Sequence, residues 1–282
     1  MFEERGLSDV IAFVLTFSVI ILSVSAVSVL GVSQLTEVRD REQVNSAERS
    51  MVSFAKNLDD VSQQGDRMRA GEIALQDGHV HLADASLRLR INETTNSSGN
   101  WTRSVTVNTL QHRLEKSFGA VNISYENGAV FRQDIAADEE SRMRYRPTMR
   151  CAPDTGIAVV TLVALNGSLS IGSGSPGFSV GPEDAPGADA PVEDSEQSVQ
   201  LSGTLNKTES KVIYVNRSDG TGKTVFLDLS ETTNTDGWRA YLDDGDTGWE
   251  SAADDDYGYK CGSGNLETVV VRLVTIDVTV DE

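Results

Sequence analysis

Residues 10–36 read VIAFVLTFSVIILSVSAVSVLGVSQLT and carry no charge. About 20 apolar residues cross the hydrocarbon core of a bilayer, so the run reads as a transmembrane helix. Everything after it is acidic, β-patterned and free of a second apolar run of that length. The expected layout is one membrane anchor carrying one large external part. The expected fold class is α+β, a long N-terminal transmembrane/stalk helix followed by a mostly antiparallel β-sheet or β-sandwich head.

Working outward, Met1 to Gly6 holds Glu3, Glu4 and Arg5, too little positive charge to orient the run by the positive-inside bias. The polar cargo behind the run places the N-terminus inside and the C-terminal part outside the cell membrane. Within the run, Ser18, Ser25 and Ser33, with Ala26 and Ser28 beside them, recur at helical spacing. Such small residues suit close helix–helix contact, and serine is also tolerated in an isolated helix. Past residue 36 the helical pattern continues. Val44, Ala47, Met51, Phe54, Leu58 and Val61 fall at alternating spacings of three and four, an apolar seam that must bury against its own β part or against another copy.

After Gly65 the hydrophobic period becomes two, which marks half-buried strands. Asn127-Gly128 between two alternating runs predicts a tight hairpin. GIAVVTLVAL at residues 156–165 is a continuous apolar strand, expected to lie centrally. Residues 172–197, rich in Gly, Pro, Ser and acid, read as a flexible acidic loop. The expected division is a leader-like segment 1–6, transmembrane helix 7–36, helical stalk 37–64, first β part 65–171, acidic loop 172–197 and second β part 198–282.

Composition narrows the partners. The 282 residues carry a formal charge of -19, with 6 lysines against 18 arginines. Nucleic acid is excluded as a partner, because phosphate binding needs a basic footprint. Few lysines and many carboxylates suit a highly saline habitat or, more plainly, a well-solvated acidic surface. Cys151 and Cys261 form a disulfide if the head is exported, or stand as two buried thiols if not. Seven Asn-x-Ser/Thr sequons, at Asn92, Asn96, Asn100, Asn122, Asn166, Asn206 and Asn216, point to external glycosylation.

The stretch RGLSDVIAFVLTFSVI, with NSAERSMVSFAKNLDD at residues 45–60 and a weaker echo YENGAVFRQD at 125–134, resembles a group of haloarchaeal type IV pilin-like membrane proteins of unknown function. The resemblance implies a class III signal, cut by a prepilin peptidase between Gly6 and Leu7 with the helix retained. It departs from the commonest archaeal form, which has Ser-Pro where Ser8-Asp9 stands. An uncleaved signal anchor is the alternative. The resemblance implies location and architecture, with the membrane, the peptidase, and other pilin-like subunits or self as partners. It implies no activity.

Catalytic signals are weak. Gly222-Lys223-Thr224 lacks the upstream glycine of a phosphate loop and precedes a strand, not a helix. Asp243-Asp244-Gly245-Asp246 and Asp254-Asp255-Asp256 lack the spacing of a calcium loop. His79 and His81 share a strand face without a third ligand, and His112 has no partner in sequence. No nucleophile–base or paired-carboxylate constellation stands out, so neither an enzyme nor a cofactor or metal is expected. The expected function is a pilin-like cell-surface structural or adhesion protein. The alternative is a single-pass ectodomain that binds a surface partner without polymerising.

Overall fold

The computed structural model describes residues 3–93, 100–137, 139–172, 198–214, 222–252 and 258–280, with backbone alone at 3–10, 26–33, 93, 136 and 214. The sequence features on residues 94–99, 173–197, 215–221 and 253–257, namely Asn96, Asn216, nearly all of the acidic loop and Asp254 to Asp256, lie outside the described residues. Of Gly6 and Leu7 only the backbone, which is helical, is described.

Two compact units divide the chain, Met1–Gln43 and Val44–Glu282. Helix α1 (Glu3–Asp59) contributes to both. In the first unit, Ile11, Phe13, Leu15, Phe17, Val19 and Leu22 are each more than half exposed. Among the described residues no helix is long and apolar enough to cross a membrane. This corrects the expected transmembrane/stalk helix and, with it, the α+β class. The helix from Val44 onward is not a stalk but a core element. Val44, Ala47, Met51, Phe54, Leu58 and Val61 are all fully buried in one apolar cluster with residues of the β body. Each larger side chain so buried contributes roughly 1.5–3 kcal/mol.

The second unit is mostly β. In chain order its strands are β1 (Met68–Ala74), β2 (His79–Ala83), β3 (Ser86–Glu93), β4 (Trp101–Thr106), β5 (Thr109–Lys116), β6 (Gly119–Glu126), β7 (Ala129–Asp134), β8 (Arg142–Tyr145), β9 (Met149–Ala152), β10 (Ile157–Asn166), β11 (Ser170–Gly172), β12 (Ser198–Tyr214), β13 (Lys223–Asp228), β14 (Trp249–Ala252), β15 (Gly258–Leu266) and β16 (Thr268–Val280). A short helix, α2 (Thr235–Leu242), lies between β13 and β14. The strands form three sheets, in the orders β1-β12-β16-β10-β9, β11-β2-β5-β6-β7-β8 and β14-β15-β13-β3-β4.

The first sheet is the middle layer, and the alternation along its strands shows why. On β10, Ala158, Val160, Leu162 and Ala164 join a core cluster with the third sheet, whereas Val163 and Leu165 join the cluster with α1 and the second sheet. On β16, Val269 and Val271 face the former, and Val274, Ile276 and Val278 the latter. A strand buried on both faces reads as an unbroken apolar run, which is the pattern of residues 157–165. β10 and β16 pair parallel, from Ile157↔Thr268 to Asn166↔Asp277. Helix α1 approaches this layer closely at Gly203 of β12, where an added Cβ would lie 2.3 Å from Leu58 Cδ2. The disulfide Cys151–Cys261 joins β9, at the edge of the first sheet, to β15 of the third, with Cα atoms 5.7 Å apart. It closes a separation of 110 residues, worth about 4–5 kcal/mol on the loop-entropy model.

β9 covers the edge of β10 only over residues 157–160. Beyond that the backbone of β10 finds other partners. Val163 N donates to Asn127 Oδ1 at 2.8 Å, Leu165 N to Val107 O at 2.9 Å, and Asn108 Nδ2 to Leu165 O at 3.0 Å. Asn127 also makes the β6–β7 turn with Gly128, at φ 49° and 82°, as a two-residue primed turn requires. Asn127→Gly keeps the turn geometry and removes the acceptor. A buried N–H left without a partner costs about 1–3 kcal/mol, so urea unfolding of this variant shows a loss of stability of that size; unchanged stability would show that Val163 N is satisfied otherwise.

Candidate functional site

The densest polar constellation starts at Glu126, the last residue of β6, whose side chain is fully buried. Its Oε2 accepts from Thr109 Oγ1 (3.1 Å), Thr233 N (3.2 Å), Thr233 Oγ1 (2.6 Å) and Asn234 Nδ2 (2.9 Å). Its Oε1 accepts from Trp238 Nε1 at 2.9 Å. Five donors satisfy a carboxylate that burial has stripped of water. Four of them come from the segment that leads into α2 or from α2 itself, so Glu126 fixes that helix against the β body. Trp238 then packs against Phe131 of β7, ring centroids 5.4 Å apart and planes tilted by 55°, and meets Tyr241 edge-on at 6.3 Å. Gly237 N donates to Ser141 Oγ at 2.9 Å, tying α2 to the start of β8.

This leaves a groove of about 590 Å³ between β8 and α2. β8 is an edge strand of the second sheet, paired to β7. One wall is Gly237, Ala240 and Tyr241 of α2 with Asp244 just beyond it; the other is Arg142 and Arg144 of β8 with Arg146 just beyond it and Glu139 and Glu140 before it. The ion pairs of the arginines differ. Arg144 Nε lies 3.6 Å from Glu48, a less exposed carboxylate shared with Arg132 at 3.4 Å. Arg142 pairs with Glu139 at 3.4 Å and Arg146 with Asp244 at 3.3 Å, with arginine side chains 66% and 69% exposed. Exposed pairs of that kind contribute about 0–1 kcal/mol. The Arg146 guanidinium also sits 5.9 Å above the Tyr241 ring. Tyr145 turns the other way, donating to Asp59 Oδ2 at 2.6 Å; burial first, then Asp59, pushes the phenol up to about 12. No catalytic or ligand-binding pattern in the sequence marks this groove. Its mark in sequence is the arginine run of residues 141–150, SRMRYRPTMR, directly after Glu139-Glu140.

The residues singled out from sequence lie elsewhere. Among the described residues no group of three or more His, Cys, Asp or Glu is placed to hold a metal ion. His79 and His81 stand side by side on β2, ring centroids 5.1 Å apart, and His79 Nε2 is 3.0 Å from Ser170 Oγ. Lys223 is buried at the start of β13, a strand, so residues 222–224 form no phosphate loop. Asp244 is engaged by Arg146 and by Asp246 N. Of the sequons, Asn92 and Asn122 lie within β3 and β6, half-buried, and Asn100 is exposed. Asn166 and Asn206 are exposed and both donate to the Asp277 carboxylate, each at 2.7 Å.

His112 is buried on the opposite face of the sheet from His79 and His81. Its Nε2–H donates to Leu75 O at 2.9 Å, and Nδ1 has no hydrogen-bond partner. Burial lowers its pKa to about 4, and the nearby charges of Lys116 and His79 push the same way. The unfolded chain takes this proton near pH 6.5, the native state only near pH 4. Stability is therefore flat above the unfolded value and falls as pH drops through that window, by roughly 3 kcal/mol at its foot. His112→Leu removes this component, so urea unfolding at pH 7 and pH 4 shows a smaller acid loss in the variant; equal losses would assign the acid sensitivity to other groups.

No curated protein and no solved structure matches the chain. One family does, described as a family of unknown function, DUF7289, over residues 5–181. That match covers α1 and β1 to β11, more than half of the 282 residues. The chain belongs to the DUF7289 family.

Proposed function

We propose that this is a non-catalytic cell-surface protein, a pilin-like structural or adhesion subunit whose β body faces the exterior. The observation that carries the reading is the row of large apolar side chains standing more than half exposed on the helix of the first unit, Ile11 to Leu22. Contiguous apolar surface of this kind on a folded protein marks an interaction site. In a pilin-like subunit it is the assembly surface, and the partners are other pilin-like subunits or further copies of this chain at the cell membrane. Two features support the external placement. The Cys151–Cys261 disulfide is of a kind that persists in oxidising compartments. The charge of -19 keeps an exposed β body solvated in saline surroundings.

A second reading, a surface binding module that does not polymerise, is favoured by the groove beside β8. Immunogold electron microscopy with antibody to residues 198–282 separates the two. Label along the length of isolated surface filaments, with a mature N-terminus at Leu7 by mass spectrometry, is the expected result. Label confined to the cell envelope, on a chain that keeps residues 1–6, sinks the assembly reading.

A further inference from the structure

Two sequons that are distant in sequence meet in the fold. Asn166-Gly167-Ser168 closes β10, and Asn206-Lys207-Thr208 lies within β12; both strands flank β16. The register sets Asn166 opposite Asp277, and the β12 register shifts between Leu205 and Lys207, so Asn206 falls at a bulge. One carboxylate holds both amides: Asn166 Nδ2 donates to Asp277 Oδ1 and Asn206 Nδ2 to Oδ2, each at 2.7 Å. All three residues of each sequon are exposed. A hollow of about 290 Å³ opens beside Asn166, with Ser104, Thr106, Asn108 and Thr275 on its walls. The other described sequons differ. Asn122 is half-buried, Ile123 and Ser124 are buried, and Ser124 Oγ donates to Asn234 Oδ1 at 3.1 Å. Asn92 is half-buried on β3, which has a strand on either side. In Asn100-Trp101-Thr102 the Trp101 side chain packs against a core cluster.

We propose that Asn166 and Asn206 are a paired N-glycosylation site, their two sugars leaving the surface side by side at Asp277. The inference rests on the external placement of the β body given above, and not on polymerisation. The co-reactant is a lipid-phosphate-linked oligosaccharide, handled by a membrane transferase. In each reaction Nδ2 bonds to the anomeric carbon of the sugar and the bond from that carbon to the phosphate oxygen breaks. The lipid phosphate leaves with the electron pair, and one Nδ2 proton passes to solvent. The second N–H of each amide remains, so both bonds to Asp277 survive the modification. A glycan is bulky and hydrophilic, so the folded chain accepts it where its asparagine already faces water, whether it is attached before or after the strands close. That condition selects Asn166 and Asn206 and rejects Asn122, whose sequon hydroxyl is enclosed on the α2 side. The hollow beside Asn166 gives the first sugar hydroxyl and amide partners. A sugar pair here also keeps this end of the middle sheet out of any contact between copies.

The test is mass spectrometry of the full chain recovered from the cells that make it, digested so that Asn166 and Asn206 fall in separate peptides. The same cells are first treated with a membrane-impermeant biotin reagent. The expected result is a biotin-labelled chain with sugar on both asparagines and none on Asn122. Ser168→Ala then loses the sugar at Asn166 alone, and Thr208→Ala that at Asn206 alone. Both hydroxyls are exposed and neither belongs to the Asp277 clasp, so the variants keep the parent circular dichroism spectrum. Bare Asn166 and Asn206 on a chain labelled from outside overturn this proposal and leave the external placement standing. Labelling only after lysis overturns that placement and this proposal with it. Sugar on Asn122 in place of the pair, or sugar retained in the alanine variants, also overturns it.

Discussion

The parallel pairing of β10 with β16 is the constraint to which the rest of the fold answers. Parallel strands cannot be joined by a tight turn, and they are stable when both faces of their sheet are covered. The first condition forces a crossover from Asn166 to Thr268. That excursion supplies β11 to β15 and α2. The second is met from two sides, by α1 with the second sheet and by the third sheet. Edge groups that strands leave open are closed singly by Asn127, Val107 and Asn108.

The family match ends at residue 181, before β12 and β16. The middle sheet is incomplete without those two strands. The matched region therefore does not correspond to a separately closed core. The groove divides the same way: β8 and its arginines fall inside the match and α2 outside it.

What could be read from sequence was local or periodic. The seam from Val44 to Val61 announces itself by spacing, and every member is buried. Asn127-Gly128 announces a turn by residue type, and the strand in residues 156–165 by its unbroken apolarity. Long-range pairings leave no such mark. Glu126 meets Thr233 and Trp238 across 107 and 112 residues, and nothing in YENG or TDGW points from one to the other. The direction of β16 relative to β10 is equally silent, because a β-branched run pairs either way. The arginines of residues 141–150 stand out by type, but their carboxylate partners Glu48 and Asp244 are distant in sequence and unmarked there. Of the two partners that periodicity left open for the seam, its own β part or another copy, the structure shows its own β part, so these residues form a core helix and not a stalk.

The disulfide has a mechanical consequence. A pulling force applied between the N-terminal helix and the C-terminal strand is transmitted through Cys151 and Cys261, and the 110 residues between them are bypassed. About 380 Å of extensible contour is thereby kept out of reach at roughly 3.5 Å per residue. The segment between the cysteines, β10 to β14 with α2, thus stays off the load path, whereas β3 and β4 of the third sheet remain on it.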